Sequence, residues 1–256
     1  GGSGAGGGAG GGSSQGGAAG SGSGSGAPGG GGKPPPDPRF PHASLHALHR
    51  LAMDPSKITS PGAHVDELCI CIPDVYPKSV HHGLVVARER GLDTPSELTP
   101  SHLPLLSHMR RVAMRWIWQV AQGHTGSGDG AELVFRLGFH AVPSMRQLHL
   151  HAIGTDLRGA NMKRKDHFMS FATPYFMPLD QVEAQLREQG RVAVDAAAAN
   201  QLLKGPIVCH RCGAAGDPGG KKAGFSFPQL QAHLATCRAQ YPGGDAVGVP
   251  DSEPKL

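Results

Sequence analysis

Residues 147–153 read Gln-Leu-His-Leu-His-Ala-Ile, an alternation of polar and apolar side chains. Because successive side chains of a β-strand point to opposite faces of the sheet, the alternation predicts a strand whose two histidines share one face. The apolar residues would be buried on the other face, against helices. A His-x-His pair on a strand fits a metal site, a catalytic pair, or two half-exposed polar residues without a task.

The flanking sequence predicts an α+β domain, with an antiparallel sheet and helices packed on it. Helical spacing of apolar residues predicts a core-facing helix over 100–122, with Thr99 as N-cap and Gly123 after its end. A shorter helix is expected over 41–53, and a capping box of Asp180 and Glu183 is expected to begin one that ends at Gly190. Strands are expected at 68–72, 82–87 and 133–138, with a turn at 74–78 and a hairpin-type loop at 126–130.

Both ends of the chain differ from this foldable part. The chain has 256 residues, and its first 32 contain only Gly, Ala, Ser, one Gln and one Pro. Such a segment buries too little apolar surface to offset its chain entropy. We therefore predict a disordered Gly/Ser/Pro-rich tail over 1–38 and a second disordered tail over 242–256.

The charge and hydropathy of the chain indicate which classes of partner it is expected to bind. The net charge is +4, and residues 156–240 hold 11 Lys/Arg against 7 Asp/Glu, an excess equal to the whole net charge. A polyanion would meet that region first, although ordinary solvated charges would give the same count. No apolar run is long enough to span a bilayer and no secretory leader is visible, so we expect an intracellular protein without a membrane partner.

The five cysteines divide into two groups. Cys69 and Cys71 lie in a short apolar run, where free cysteine behaves as a small buried hydrophobe. Cys209 and Cys212 form a C-x-x-C turn, followed after 20 residues by His233 and after three more by Cys237. Four such ligands with no open position predict a structural zinc ion, and His210, inside the turn, is a competing donor that we leave out.

A second informative segment lies just before the histidine strand in the sequence. Residues 138–145 read Gly-Phe-His-Ala-Val-Pro-Ser-Met, and with residues 147–153 they resemble the aprataxin branch of the histidine-triad nucleotide hydrolases and transferases. The resemblance extends from about Phe40 to Cys237. It implies a histidine-triad catalytic domain over 39–175 and a C-terminal helix with a DNA-binding zinc finger over 176–241.

The resemblance also implies a reaction, in which AMP left on a DNA 5′-phosphate by an aborted ligation is removed through an adenylyl-histidine. His149 would attack the phosphorus, because a neutral imidazole is a good nucleophile near pH 7. His151, His82 and Ser144 would contact the phosphate. Nucleotide-binding residues would be Asp74, Lys78, Met145 and Gln147, and DNA contacts would come from Lys163, Lys165 and His167.

Three positions depart from the family pattern. Gln147 stands where animal members have the first histidine of the triad, and glutamine can form hydrogen bonds but cannot titrate. Asp166 replaces a lysine and Phe168 a tryptophan. The first change should leave activity intact, whereas the loss of a base at Asp166 weakens the expected DNA contact surface.

Three functions are consistent with these residues: a hydrolase of adenylated DNA 5′ ends, a general hydrolase of small AMP conjugates such as phosphoramidates, or a DNA-binding protein whose catalytic site has decayed. The zinc finger favours the first, with DNA carrying 5′-AMP at nicks or breaks as the partner. RNA–DNA junctions as further substrates are left open by the sequence, and nuclear location follows from the resemblance alone.

Overall fold

The computed structural model describes Gly1 and residues 37–123, 133–216 and 224–256. Nearly all of the predicted N-terminal tail and the whole predicted loop at 126–130 lie outside these residues. Contacts group Pro36–Leu256 into one compact unit. No helix in the described part of the chain combines the length and apolarity needed to cross a membrane.

The centre of the fold is one antiparallel sheet in the order β1-β2-β3-β5-β4-β6, with β7 paired to β4. Its strands are β1 His64–Val65, β2 Cys69–Pro73, β3 His82–Ala87, β4 Val134–His140, β5 His149–Gly154, β6 Phe176–Pro178 and β7 Ala246–Gly248. The central strands β3 and β5 are buried at every residue. The predicted strands are therefore confirmed, with ends shifted by one or two residues.

The helices follow the predicted pattern. They are α1 Ala47–Met53, α2 Leu103–Gln122, α3 Lys165–Ala172, α4 Leu179–Gln189, α5 Ala196–Leu202 and α6 Phe227–Thr236. Short 3-10 turns at Ala43–His46 and Pro100–His102 precede α1 and α2, where single helices were predicted. The other 3-10 turns are Pro55–Lys57 and Pro95–Glu97.

The main hydrophobic core lies between the sheet and α2. Leu148, Leu150 and Ala152 face it, so the apolar half of the alternating segment is buried as predicted. Cys69 and Cys71 are also buried there, which confirms their interpretation as small hydrophobes. The absence of a side chain at Gly83 allows α2 to pack closely against the sheet, because a Cβ at this position would lie 2.8 Å from the Trp116 ring.

The opposite face of the sheet is covered by two smaller cores. One joins α1 to the strands β2 and β3 through Leu48 and Ile70. The other joins α3 to the C-terminal module and includes Phe168, Leu230 and Leu234. Between these two cores, the histidines of β3 and β5 face the same side of the sheet.

One expectation at the C-terminal end is wrong. Residues 246–248 form β7 instead of part of a disordered tail, because Asp245 pairs with the buried Arg136 of β4 and Val247 packs against the main core. The sheet thus draws strands from both predicted domains, since β6 also lies beyond residue 175.

The start of α4 differs as well. The helix begins at Leu179, so Asp180 lies in its first turn and does not cap it. The N-cap is Pro178, two residues earlier than predicted, and the first helical residue, Leu179, is 1% exposed. Asp180 and Glu183 instead pair with Arg110 of α2. Gly190 ends the helix in the left-handed conformation, as predicted.

Candidate active site and metal centre

A cleft of about 570 Å³ opens on the histidine face of the sheet. It brings together nine of the predicted site residues: Asp74, Lys78, His82, Ser144, Met145, His149, His151, Lys163 and His167. These come from β3, β5 and α3 and from the loops that precede these three elements. Residues separated by up to 93 positions in the sequence therefore line one cavity.

His149 is the residue whose tautomer is best defined. Its Nδ1 lies 2.8 Å from the main-chain oxygen of Gln147. Because a carbonyl oxygen only accepts hydrogen bonds, Nδ1 must carry the proton, which leaves the lone pair on Nε2. The ring is 7% exposed, lines the cleft and contacts the His151 ring at 5.0 Å between centroids.

His82 and His151 form a hydrogen-bonded pair. The main-chain N–H of Lys78 donates to His82 Nδ1 over 3.2 Å, and His82 Nε2 lies 3.0 Å from His151 Nδ1. Since the backbone donor makes Nδ1 of His82 an acceptor, its Nε2 carries the proton and donates to His151. His151 Nε2 then carries a proton and is buried with no acceptor in the described part of the chain. The chain of bonds leaves a hydrogen-bond donor free at this ring.

His140 is a fifth histidine of the cleft, and it was not among the predicted site residues. Its ring lies 4.5 Å from that of His151, and its Nε2 is buried with no partner among the described residues. Phe171 and Tyr175 pack against the same ring. The period-two pattern of β4 was the available signal, because His140 is the polar residue after the core-facing Phe139.

Burial is the first cause that lowers the pKa values of these imidazoles. The pKa of His82 falls to about 4, that of His149 is lowered, and those of His140 and His151 fall well below the ordinary range. Neighbouring histidines add to the effect at His140 and His151. The cluster is therefore neutral near pH 7, the state in which an imidazole is a nucleophile.

The loop between β2 and β3 forms one wall of the cleft. Asp74 accepts a hydrogen bond from the main-chain N–H of Tyr76, and its other carboxylate oxygen lies 3.3 Å from His82 Nδ1. Lys78 Nζ donates to the carbonyl oxygen of Tyr76. Both predicted nucleotide-binding side chains thus also stabilise the loop that carries them.

The side chain of Gln147 does not occupy the nucleotide-binding position that was predicted for it. It precedes β5 with a φ of 85°, a left-handed conformation that ends the strand alternation. Its fully buried amide donates to the carbonyl oxygens of Ala87 and Glu89 and accepts from His49 of α1. The predicted nucleotide contact of this side chain is not supported, because all of its polar atoms already have protein partners. Its contribution to the site is the main-chain oxygen that binds His149.

A basic segment before and within α3 forms the opposite wall. Lys163 and Arg164 are exposed and line the cleft, and together with burial they lower the pKa of Lys78. Such mutual repulsion is relieved by an anion. Lys165 differs from its prediction, because its Nζ donates to the Lys204 carbonyl oxygen and it does not line the cleft. Asp166 does line it, and pairs with Arg164 at 2.9 Å.

The predicted zinc ligands converge in the C-terminal module. Their ligand atoms all lie within 4.8 Å of one another. Cys209 Sγ is 4.0 Å from Cys237 Sγ, and Cys212 Sγ is 3.3 Å from His233 Nε2. His233 lies in α6 and Cys237 directly follows it, so the helix supplies two ligands, and Gly213 turns the chain after the other two with a φ of 73°.

This ligand set fits a structural zinc ion. Three thiols and one imidazole are ligands that zinc prefers, and they fill its four tetrahedral positions. The main-chain N–H of Ala214 lowers the pKa of the Cys212 thiol, which favours the thiolate that binds metal. When bound, zinc supplies cross-linking between the turn and α6 and no open position for a reactant.

Two family models match successive parts of the chain. Residues 45–167 match a model described as scavenger mRNA decapping enzyme C-term binding. Residues 172–239 match a model described as C2HE / C2H2 / C2HC zinc-binding finger. The boundary between them falls inside α3, close to the predicted division into a catalytic and a zinc-finger region.

Curated relatives match across both regions. Aprataxin of Gallus gallus is 38% identical over 169 residues, which cover 66% of this chain and 48% of the relative. Aprataxin of Danio rerio is 37% identical over 171 residues, covering 67% and 48%. The chain is a homologue of aprataxin. A protein of Arabidopsis thaliana described as transcription factor bHLH140 is 35% identical over 196 residues, covering 77% of this chain and 20% of that relative. The chain spans less than half the length of these aprataxin relatives.

Solved aprataxin structures share the fold. The crystal structure of the aprataxin ortholog Hnt3 from Schizosaccharomyces pombe has a TM-score of 0.57 at 24% identity, and covers 72% of this chain and 88% of that chain. A structure of the ortholog Hnt3 in complex with DNA has a TM-score of 0.51 at 22% identity, covering 75% and 94%. The aprataxin fold thus extends over both the histidine cleft and the zinc module.

Proposed function

We propose that the chain removes AMP from adenylated 5′ ends of DNA, with His149 as the nucleophile. One observation carries the proposal: a buried, neutral imidazole with Nδ1 bound to a main-chain oxygen lines a cleft that also contains phosphate-binding donors and cations. The aprataxin relatives support a DNA substrate, and so does the zinc module. His149→Ala should therefore abolish the reaction.

In the first step, the lone pair on His149 Nε2 attacks the phosphorus of the AMP group. The bond from that phosphorus to the bridging oxygen of the DNA 5′-phosphate breaks, and the DNA leaves as a free 5′-phosphate. The adenylylated ring carries a positive charge. Gln147 stabilises it, because its main-chain oxygen accepts the remaining N–H of the ring.

In the second step, water attacks the same phosphorus, the phosphorus–nitrogen bond breaks, and the proton that the water loses passes to the solvent. AMP and neutral His149 are released. The Nε2–H of His151 is available throughout as a donor to a phosphate oxygen, held by His82 and by the main-chain N–H of Lys78. Donors fixed before the reaction stabilise the developing negative charge without reorganisation.

Positive charge at the cleft favours the polyanionic substrate. Lys78, Lys163 and Arg164 lie close enough that the latter two lower the pKa of Lys78. Lys163, as predicted, and Arg164, in addition, are our candidates for contacts to DNA phosphates, with His167 beside them. Phosphate contacts of this kind supply affinity without reading sequence.

The experiment is AMP release from a nicked duplex carrying 5′-AMP, followed on a denaturing gel. Wild type should release AMP, and mass spectrometry should find AMP attached to the peptide that contains His149. His149→Ala should release none, while the matched change His42→Ala, at an exposed histidine outside the cleft, should behave as wild type. Equal release by His149→Ala would refute the proposal.

The same assay separates the other two functions. A faster reaction with a small adenosine phosphoramidate than with nicked DNA would favour a general hydrolase of AMP conjugates. Tight DNA binding without an adenylyl-histidine would favour a decayed site. The intact hydrogen bonds at His82, His149 and His151 argue against decay.

Two finer properties belong to the same proposal. Adenylated RNA–DNA junctions are included as substrates, since the reaction requires only an AMP-linked 5′-phosphate, and replacing the 5′ nucleotide of the nick by a ribonucleotide tests this. A nuclear location is proposed from the aprataxin resemblance. A fluorescent fusion excluded from the nucleus would contradict it.

A further inference from the structure

His210 lies between the predicted zinc ligands Cys209 and Cys212 in the sequence, but its side chain forms a hydrogen bond away from the zinc site. Its Nε2 is 2.7 Å from the carbonyl oxygen of Thr155, which accepts the bond. The Phe168 ring packs edge-on against the imidazole at 5.5 Å. His210 therefore attaches the Cys209–Cys212 turn to the residue that directly follows β5.

The residues around Thr155 hold the loop that precedes β3. The Gly154 N–H donates to the carbonyl oxygen of His81 over 2.9 Å and to Ser79 Oγ over 3.1 Å. The Asp156 carboxylate accepts the Val80 N–H over 3.1 Å. Gly154 at the end of β5 and Asp156, the two neighbours of Thr155, thus fix residues 79–81, immediately before His82.

His82 is the histidine of the cluster whose hydrogen bonds depend most directly on the position of this loop. Its Nδ1 accepts from the Lys78 N–H at one end of the loop, and its Nε2 binds His151 on β5. Moving residues 79–81 against β5 would break the first bond or the second. Either loss would remove the constraint that leaves the His151 Nε2–H as a donor.

We propose that His210 is a positioning residue, which fixes the zinc-bound turn to the end of β5 and thereby makes the alignment of His82 with His151 depend on the zinc module. The zinc module then contributes to the chemical step as well as to DNA binding. This inference rests on the proposed function for its kinetic test only.

The test compares His210→Ala with His210→Gln, whose side-chain amide can replace the donor to Thr155. Gln229→Ala is the matched control, because it removes hydrogen bonds within the module, from Ser226 to the Gln229 side chain at the start of α6, that do not involve the loop before His82. Three quantities are measured: bound zinc, amide hydrogen exchange at Val80 and Gly154, and kcat with a small adenosine phosphoramidate. The small substrate excludes effects on DNA binding.

We expect His210→Ala to retain zinc, to exchange faster at Val80 and Gly154, and to lose kcat by roughly 10- to 100-fold, the range for outer residues that orient a site. KM should change little. His210→Gln should recover most of the rate, and Gln229→Ala should match wild type. Unchanged kcat or unchanged exchange in zinc-loaded His210→Ala would overturn the inference.

A second variant, Asp156→Ala, tests the inference if His210→Ala loses zinc. Asp156→Ala removes the bond to Val80 but leaves His210 and all four zinc ligands in place, so it must show the same loss of kcat, and a wild-type kcat would overturn the inference. Absence of AMP release by wild type itself would instead refute the proposed function, while hydrogen exchange would still report on the coupling.

Discussion

The proposed nucleophile, His149, forms its Nδ1 hydrogen bond to a single main-chain oxygen. Gln147 presents it to His149 Nδ1 because its own φ of 85° turns the peptide out of the strand pattern. The buried amide of Gln147 fixes that unusual conformation through bonds to Ala87, Glu89 and His49. A glutamine at the first triad position therefore retains a positioning role without being able to titrate.

The sequence predicted the shared face of His149 and His151 because period-two alternation is a direct property of strands. It could not predict the role of Gln147. That role depends on a backbone torsion and on partners from α1 and the residues after β3, which are more than 55 positions away. His140 was missed for a related reason, since its meaning arises only when β4 pairs with β5.

The Arg164–Asp166 pair limits the charge that the cleft offers to DNA. We predict that Asp166→Asn increases DNA affinity several-fold, because it removes a negative charge and releases the Arg164 guanidinium. The salt dependence of binding should steepen by about one counterion. Fluorescence anisotropy over a range of salt concentrations measures both. Asp251→Asn, an equal charge change outside the cleft, should leave the slope unchanged, and equal effects of the two variants would contradict the prediction.

The buried histidines should make stability depend on pH. His82 has a pKa of about 4 when folded against 6.5 when unfolded, so the unfolded state binds more protons between these values. The free energy of unfolding should therefore fall as pH is lowered from about 6.5 towards 4, by about 3 kcal/mol from His82 alone. Above pH 6.5 this contribution to stability is fully present.

Urea denaturation at several pH values tests this dependence. His82→Gln should flatten it, whereas His42→Gln, at an exposed position, should keep the wild-type curve. Acid also releases zinc from thiolates in every variant. The prediction is therefore tested by the difference between variants in the pH dependence of the free energy of unfolding. Parallel curves for His82→Gln and wild type would refute it.

At the scale of elements, the position of α2 depends on the missing side chain of Gly83. We predict that Gly83→Ala destabilises the protein by about 1–3 kcal/mol, because the new Cβ would overlap the Trp116 ring at 2.8 Å and α2 packs too tightly to yield. Urea denaturation gives the change. Gly123→Ala is the control, since its Cβ would meet nothing closer than 3.7 Å, and it should stay within about 0.5 kcal/mol of wild type.

The predicted elements were most accurate where local pattern and burial agree. The strand at 82–87 has its predicted span and the long helix ends at its predicted residue, because the strand is a short run with clear turns around it and α2 has an apolar stripe. Elements fixed by distant contacts were not predicted. β7 has three residues and no alternation long enough to detect, and it forms because β4 offers an unpaired edge.

At the scale of the whole molecule, residues 241–253 join the zinc module to the catalytic sheet. Tyr241 lies over the Arg136 guanidinium, Asp245 pairs with it at 2.7 Å, and Glu253 pairs with Arg115 of α2. The segment therefore crosses from the module, along β4, to the helix behind the sheet.

Deleting residues 241–256 should destabilise the protein by about 3 kcal/mol, because Arg136 would remain buried without its carboxylate. Deleting only 251–256 removes the more exposed Arg115–Glu253 pair and should change stability by less than about 1 kcal/mol. Thermal unfolding of the two zinc-loaded variants compares them. Equal stability of the longer deletion and wild type would refute a stabilising role for the segment.

The pairing of β4 with two short strands has a consequence for behaviour at high concentration. β6 and β7 divide one side of β4 between them with three residues each, and β1, at the opposite limit of the sheet, has two. Outer strands this short offer few free peptide groups to another chain. The arrangement protects the protein against intermolecular sheet formation and aggregation, and loss of β7 would remove part of that protection.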